Sequence, residues 1–97
     1  MLTQGLYEVL ESSTTQVSIK LSDASHPIFQ AHFPNNPILP AFTHLEIISD
    51  VFNLEIKSVK KAKFTTIVLP SQTLTYIRDE NKFKVFCEEK IVASFVL

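Results

Sequence analysis

Several residue types that mark particular protein classes are scarce in this chain of 97 residues. It has one glycine, no tryptophan and a single cysteine, Cys87. A single cysteine cannot form an internal disulfide, and no other cysteine or histidine stands at metal-ligand spacing from it. Cys87 is therefore expected to be a small buried apolar side chain, and we expect neither a metal nor a cofactor.

A strong charge of one sign and long apolar segments are missing as well. Nine Lys and Arg against ten Asp and Glu give a net charge of -1, which provides no general field for a nucleic acid or an anionic membrane. No apolar run approaches the ~18 residues of a membrane span, and residues 1–5 lack the features of a signal peptide. We expect a cytoplasmic protein without a membrane span and without a nucleic-acid partner.

The length of the chain limits the number of cores. With 45% hydrophobic side chains, 97 residues can form one core, so residues 1–97 are expected to be a single domain. A domain this small buries a modest share of its unfolded surface. This favours a homodimer or a higher even oligomer.

Alternation of apolar and polar residues predicts a sheet. Leu6–Leu10 and Gln16–Leu21 flank a Ser/Thr turn and predict a hairpin with Leu6 and Leu10 on one face. The same pattern predicts four later strands, at Ile56–Phe64, Gln72–Arg78, Lys82–Cys87 and Ile91–Leu97.

Between these strands, prolines predict a loop followed by a helix. Three prolines make Ser22–Leu39 an expected irregular loop, and Pro40 suits the first position of a helix that runs to about Asn53. Apolar residues cover this helix nearly all round, so it must be buried. The sequence therefore predicts an α+β fold in which an antiparallel sheet wraps around one central helix.

The segment from the loop into the helix contains the residues that indicate chemistry. It reads His32-Phe33-Pro34, continues through Pro37-Ile38-Leu39-Pro40-Ala41 and reaches Glu46. A base and an acid joined by a proline-stiffened segment can remove one proton and deliver another. The pattern resembles the 3-hydroxyacyl-(acyl-carrier-protein) dehydratases of the hotdog fold, although alanine stands at positions 31 and 41 where that family has glycine.

This resemblance implies that the chain converts 3-hydroxyacyl thioesters to trans-2-enoyl thioesters in fatty-acid-type biosynthesis, with acyl carrier protein or coenzyme A as the carrier. It also implies that His32 is the catalytic histidine and Glu46 the catalytic acid. An imidazole that titrates near ~6.5 can take the C2 proton, and desolvation keeps a carboxyl protonated to donate to the leaving hydroxyl. Alternatively, His32 caps a backbone carbonyl, and Glu46 lies at an exposed edge of the helix.

The helix start is expected to bind the thioester carbonyl. Leu39 cannot cap the first turn, so the N–H groups of Ala41, Phe42 and Thr43 are predicted to be free, with Ala41 as the main donor. The alternative is that Asn36 or water caps them. Further substrate-binding residues are predicted at Phe33, Phe42 and Asp50, although Asp50 could equally be a solvated surface residue.

The two other histidines are expected to be structural. His44 has no third ligand at a recognisable spacing, so core packing or an interface hydrogen bond is favoured over metal binding. His26 stands before Pro27 at the start of the loop and is assigned a structural role as well.

A short basic run is the remaining candidate site. Its lysines could attract an acidic carrier protein, or could form a solvated strand face: Lys57, Lys60, Lys61 and Lys63.

Two other functions stay open beside the dehydratase. A hotdog thioesterase would use Glu46 or Asp50 to activate water, and an acyl-binding module would need no catalytic pair.

Overall fold

A computed structural model describes residues 3–31 and 35–97. Six strands form one antiparallel sheet with the order β1-β2-β4-β5-β6-β3. They span β1 Tyr7–Ser12, β2 Gln16–Leu21, β3 Lys61–Phe64, β4 Thr73–Asp79, β5 Lys82–Cys87 and β6 Lys90–Val96. The helices are α1 Pro27–Ala31 and α2 Thr43–Val51. The expected α+β architecture is confirmed.

Helix α2 is the central helix of the predicted fold. Ile47 and Ile48 are fully buried, and none of its nine residues is exposed. Just after the helix, the ring of Phe52 packs edge-on against Phe83 of β5 at 5.5 Å. The inner face of the sheet supplies a large part of this core with side chains at most 1% exposed: Val17, Ile19, Leu74, Tyr76, Phe83, Val85, Ala93 and Phe95.

The first hairpin forms as predicted but contains a bulge. The register of β1 on β2 shifts between Val9 and Glu11. Leu10 was expected on the same face as the buried Leu6, but Leu6 precedes the strand, and Tyr7 and Val9 lie opposite the inward-facing Leu21 and Ile19. Alternation therefore places Leu10 with Glu8 on the outer face, and Leu10 is 48% exposed. Val9 is 47% exposed.

The predicted irregular loop contains the short helix α1, so that prediction is wrong in part. Pro27 is the first helical residue, a position at which the missing N–H would have no partner in any case. His26 caps the helix, because its Nδ1 accepts the N–H of Ile28 at 3.1 Å. The opposite nitrogen, Nε2, donates to the carbonyl of Gln4 at 2.8 Å. The structural role expected for His26 is confirmed.

Helix α2 is shorter than predicted at its start. It begins at Thr43, and a tighter turn precedes it, in which Thr43 N–H donates to Pro40 O at 3.0 Å and Leu45 N–H donates to Phe42 O at 3.0 Å. These bonds span three residues, as in a 3₁₀ turn. Pro40 therefore introduces the turn, and the α-helix proper starts three residues later.

Strand β3 covers only the last part of its predicted range. A strand needs a neighbour, and Val96 of β6 already lies opposite Lys61. Lys60 N–H still donates to Val96 O at 2.7 Å, but within the described ranges residues 56–59 have no strand beside them. The alternation of apolar and polar residues could not show that this segment lacks a neighbouring strand.

Cys87 is half-buried, so the expectation of full burial is wrong. It is the last residue of β5 and pairs with Lys90 next to an exposed turn. Its partial burial still raises the pKa of the thiol. In the part of the chain that the structure describes, no helix is long and apolar enough to cross a membrane.

Candidate active site

Among the residues that the structure describes, no side chain caps the N-terminal end of α2. Phe42 occupies the capping position, and none of these side chains, Asn36 included, accepts a hydrogen bond from the first turn. Thr43 N–H donates to Pro40 O, and the prediction that this group is free is wrong. Ala41 N–H makes no hydrogen bond within residues 3–31 and 35–97. Because Ala41 is also exposed, its N–H is available to an oxygen atom of a ligand.

Thr43 adds a second unsatisfied group to the same end. Its side chain is 1% exposed, and Oγ1 has no hydrogen-bond partner among the residues that the structure describes. A buried hydroxyl in this state costs about 1–3 kcal/mol of stability. The start of the central helix is therefore locally destabilised.

Glu46 lies in the first turn of α2 and is half-buried. Across the described ranges its carboxylate takes part in no hydrogen bond or ion pair. It is thus an acidic group placed on the central helix without a structural partner. His32 and Phe33 lie outside the described residues, so the catalytic role of Glu46 with His32 stays a prediction.

Asp50 lies one turn beyond Glu46 and has two hydrogen-bond donors. Its Oδ2 accepts from Thr3 Oγ1 at 2.7 Å and from the hydroxyl of Tyr7 at 3.2 Å. Burial raises the pKa of Tyr7 to about 12, with additional contributions from the charge and the hydrogen bond of Asp50. Asp50 therefore connects Thr3, in the turn before β1, and Tyr7 of β1 to the central helix. The contact of Asp50 with substrate stays a prediction.

A cavity of about 300 Å³ opens beside Ala41. Residues 38–41 form one wall and residues 64–68 the other, with His44 between them. The N–H of Leu39 donates to the carbonyl of Val68 at 2.7 Å and joins the two walls. Most of the lining is apolar, which suits an acyl chain.

His44 is held in the core by a partner that the sequence did not reveal. It is 3% exposed, and its Nδ1 lies 2.8 Å from the hydroxyl of Tyr76 on β4. Burial lowers the pKa of His44 to about 4, so the imidazole is neutral near pH 7. The expected packing of His44 in the core is confirmed, and its hydrogen bond lies within the chain and not at an interface. Tyr76 was missed because it lies on another element, and no local spacing connects it with His44.

The predicted lysine run does not form one cluster. Lys61 and Lys63 point outward from β3, whereas Lys57 borders a different cavity near Arg78. Lys60 is exposed just before β3. The cross-strand register adds two lysines of β5 to the outer face, because Lys61 and Lys82 flank Val96, and Lys63 and Lys84 flank Ser94.

We call these four outward-facing lysines the outer lysine rows. One row is Lys61 and Lys63 on β3, and the other is Lys82 and Lys84 on β5. They border a shallow depression of about 650 Å³. Sequence analysis missed Lys82 and Lys84, although their alternate spacing in a predicted strand already placed both on one face. The partner strand could be identified only from the sheet order.

Comparison with known proteins gives one consistent family. The family model described as ApeI-like, ApeI dehydratase, matches residues 8–95. The 3-hydroxyacyl-[acyl-carrier-protein] dehydratase FabZ of Caldanaerobacter subterraneus subsp. tengcongensis is 35% identical over 54 residues, which are 56% of this chain and 38% of that protein. FabZ of Thermoanaerobacter sp. strain X514 is 33% identical over 63 residues, 65% of this chain and 44% of that protein. The chain thus spans less than half the length of these relatives.

Two solved structures share the fold. One is described as the dehydratase heterocomplex ApeI:P from Xenorhabdus doucetiae, with a TM-score of 0.66, 19% identity, and coverage of 91% of this chain and 89% of that chain. The other is an uncharacterized protein from Erwinia carotovora subsp. atroseptica, with a TM-score of 0.57, 22% identity, and coverage of 91% and 86%. At these identities the likeness concerns the fold alone.

Proposed function

The chain belongs to the ApeI-like dehydratase family, and from this premise we propose that it removes water from 3-hydroxyacyl thioesters, yielding trans-2-enoyl thioesters. Its carrier in this proposal is acyl carrier protein, in fatty-acid-type biosynthesis. The observation that carries the proposal is the Glu46 carboxylate, which has no partner within the described ranges, on a central helix whose first turn receives no side-chain cap from those residues. If the helix start had only a structural role, the Glu46 carboxylate and the N–H groups at the helix end would be expected to pair with other groups of the chain.

The proposed reaction divides its proton transfers between two residues. His32 takes the proton from C2, and negative charge develops on the thioester oxygen. The N–H of Ala41 stabilises this charge at the positive end of α2. Glu46 then gives its proton to the departing 3-hydroxyl, so water leaves as the C2–C3 double bond forms.

One assay with two readouts tests the reaction class. The protein is given a 3-hydroxyacyl group on carrier protein, and enoyl thioester and free thiol are measured together. Enoyl product without thiol release is expected. Thiol release without enoyl product would instead identify a thioesterase in which Glu46 or Asp50 activates water, and binding without either product would identify an acyl-binding module.

We propose in addition that two copies of the chain complete each site, with His32 of one copy facing Glu46 of the other. Strand β3 lies at an edge of the sheet, and three apolar residues near it are exposed: Phe64 at 48%, Ile67 at 59% and Leu69 at 41%. An exposed edge beside apolar side chains favours pairing with another sheet.

Sedimentation at micromolar concentration tests this pairing. A dimer of the 11.0 kDa chain, or an even multiple of it, is expected. Sedimentation as a monomer alone would contradict the homodimer. Since the relative from Xenorhabdus doucetiae is described as a heterocomplex, a monomer that pairs only with a second dehydratase subunit would favour a hetero-oligomer.

The outer lysine rows provide the proposed contact with the carrier. The row on β3 and the row on β5 are separated by β6, which places them about 10 Å apart, close to the width of a helix. An acidic helix of a carrier protein fits this spacing and complements its charge. Lys60, exposed just before β3, would contribute at the rim, whereas Lys57 borders the other cavity and is left out of this contact.

A further inference from the structure

A buried hydrogen bond connects the first turn of helix α2 with the sheet. His44 Nδ1 lies 2.8 Å from the hydroxyl oxygen of Tyr76, and the two side chains are 3% and 0% exposed. Within the described ranges, residues 43–46 make no other side-chain hydrogen bond to a strand. In this part of the chain, the first turn of α2 therefore has a single polar attachment to the sheet.

The Tyr76 end of this bond has a fixed place. Tyr76 belongs to β4, which pairs with β2 on one side and with β5 on the other, and it lies opposite Val17 and Val85. Both of these neighbours are fully buried. The His44 end is less constrained, because no side chain of the described residues caps the helix start and the Thr43 hydroxyl has no partner among them. The sheet is therefore the support, and the start of α2 is the part that the bond positions.

Apolar packing alone does not define the rotation of α2 about its axis. Ile47 and Ile48 are fully buried in the core, but the hydrophobic effect that holds them there is non-directional. A hydrogen bond requires a defined distance and direction, and a fully paired buried polar group specifies one arrangement of a core. The bond between His44 and Tyr76 supplies this constraint at the start of the helix.

The rotation of α2 determines where the Glu46 carboxyl lies. Glu46 stands two positions after His44, so the two side chains leave the helix about 200° apart. Since His44 faces its own sheet, Glu46 points away from that sheet, which agrees with a site that a second copy completes. A group about 5–6 Å from the helix axis moves by about 1 Å when the helix rotates by about 10°. A misplacement of this size can lower the rate of a reaction about a hundredfold.

Building on the proposed function, we infer that Tyr76 and His44 are positioning residues for the dehydration. Their hydrogen bond fixes the rotation of the first turn of α2 and thereby places the Glu46 carboxyl at the 3-hydroxyl of the substrate. This role requires no contact of either side chain with the substrate. The bond therefore contributes to kcat through Glu46 and leaves KM largely unchanged.

Single substitutions at the two positions are the first test. Tyr76→Phe and His44→Phe each break the bond and keep two aromatic rings, whose centroids lie 5.9 Å apart in the unmodified protein. Each variant should lower kcat for 3-hydroxyhexanoyl-pantetheine by about tenfold or more and change KM by less than about twofold. Unchanged kcat in Tyr76→Phe would overturn the inference.

The double variant separates positioning from stability. Each single substitution leaves one buried polar group unpaired and lowers the urea midpoint, whereas Tyr76→Phe combined with His44→Phe removes both groups and should recover part of that loss. The kcat value should stay as low as in the single variants, because all three lack the same bond. If kcat recovers together with the midpoint, the bond serves stability alone and the inference is wrong.

Tyr7→Phe is the matched control on the same helix. It removes a hydroxyl that donates to Asp50 Oδ2 at 3.2 Å, while Thr3 Oγ1 still donates to that oxygen at 2.7 Å. Its kcat should stay within about twofold of the parental value, because the bond to the first turn of α2 is intact. A loss of kcat as large as that in Tyr76→Phe would overturn the inference.

A crystal structure of Tyr76→Phe decides the question if no dehydration is found or if the double variant does not recover its midpoint. After superposition of the six strands, the Glu46 carboxyl should be displaced by about 1 Å or more, and it should not be displaced in Tyr7→Phe. This displacement in a protein without dehydratase activity would support the positioning of Glu46 while the proposed function fails. An undisplaced Glu46 would overturn the inference whatever the activity.

Discussion

The two ends of helix α2 differ in how completely their polar groups are paired. At the C-terminal end, Asn53 N–H donates to Asp50 O at 3.4 Å and Leu54 N–H donates to Ser49 O at 3.1 Å. These two bonds form a Schellman closure, with Asn53 at φ 51° in the left-handed region. At the N-terminal end there is no side-chain cap, and the Thr43 hydroxyl has no partner among the described residues.

Side-chain packing shows the same contrast. Beyond the C-terminal end, the guanidinium of Arg78 lies 5.6 Å from the ring centroid of Phe83 and 6.0 Å from that of Phe52. Cavities border the chain at both ends, but at the N-terminal end the capping residue Phe42 is itself 51% exposed. Functional sites often retain such unsatisfied groups at the expense of stability. We therefore expect substitutions at the C-terminal end to change stability and those at the N-terminal end to change turnover.

The largest expected effect concerns the proposed catalytic pair. His32→Ala and Glu46→Gln should each lower kcat by roughly a hundredfold or more, as is typical when a positioned proton-transfer group is lost. The free energy of unfolding should stay within ~0.5 kcal/mol, because Glu46 has no partner in the described part of the chain. Glu89→Gln, at an exposed turn, is the control for Glu46. Near-normal kcat in either variant would remove that residue from the mechanism.

The second effect is a loss of stability in acid that depends on His44. The unfolded chain binds a proton at this imidazole below pH ~6.5, whereas the folded chain stays neutral there until about pH 4. Stability from this group is therefore complete above pH ~6.5 and declines as the pH falls to about 4, by roughly 3 kcal/mol in all. Urea unfolding of the unmodified protein and of His44→Phe should show this difference. If the free energies of unfolding of the two proteins change with pH in parallel between pH 7 and pH 4, the prediction is wrong.

At the C-terminal end, Asn53 provides a stability test. Asn53→Val places a β-branched residue at φ 51°, and we expect a loss of about 1–2 kcal/mol in the free energy of unfolding. Asn53→Gly is the matched control and should retain full stability, since glycine adopts this conformation freely. Both variants should keep the parental kcat. If the Asn53→Val and Asn53→Gly variants have the same free energy of unfolding, or if either variant lowers kcat, the expected difference between the two ends of α2 is wrong.

The smallest effect lies on the outer face of the sheet. Lys61→Glu combined with Lys63→Glu should lower kcat/KM for carrier-bound substrate by roughly three- to tenfold at low salt, and much less for the same acyl group on pantetheine. Lys60→Glu combined with Lys61→Glu should lower kcat/KM for carrier-bound substrate less, because only Lys61 belongs to the outer lysine rows. Lys20→Glu on β2 is the control. Equal losses on both substrates would show that these lysines are a solvated face.

Local patterns predicted those features that depend on neighbouring residues in the chain. Strands β2 and β5 and the central helix were predicted from periodicity, because their side chains alternate or repeat against one core. Periodicity did not predict three other features, because each depends on a strand partner or a cap that the fold supplies. These features are the bulge between Val9 and Glu11, the short β3 and helix α1. The same limit applies to the site: Glu46 follows from a local pattern, whereas the pairing of His44 with Tyr76 spans 32 positions.

The bulge in β1 has a consequence for how copies of the chain can assemble. An edge strand with a regular ladder can recruit another sheet, whereas a bulge interrupts the ladder and twists the edge away. Strand β1 contains such a bulge between Val9 and Glu11, and β3, at the opposite edge, has none in its register. A sheet with one regular edge can pair with a second copy through that edge, and the pair then presents only bulged edges. If copies pair through β3, we expect assembly by strand pairing to close at two copies and not to continue as a fibre.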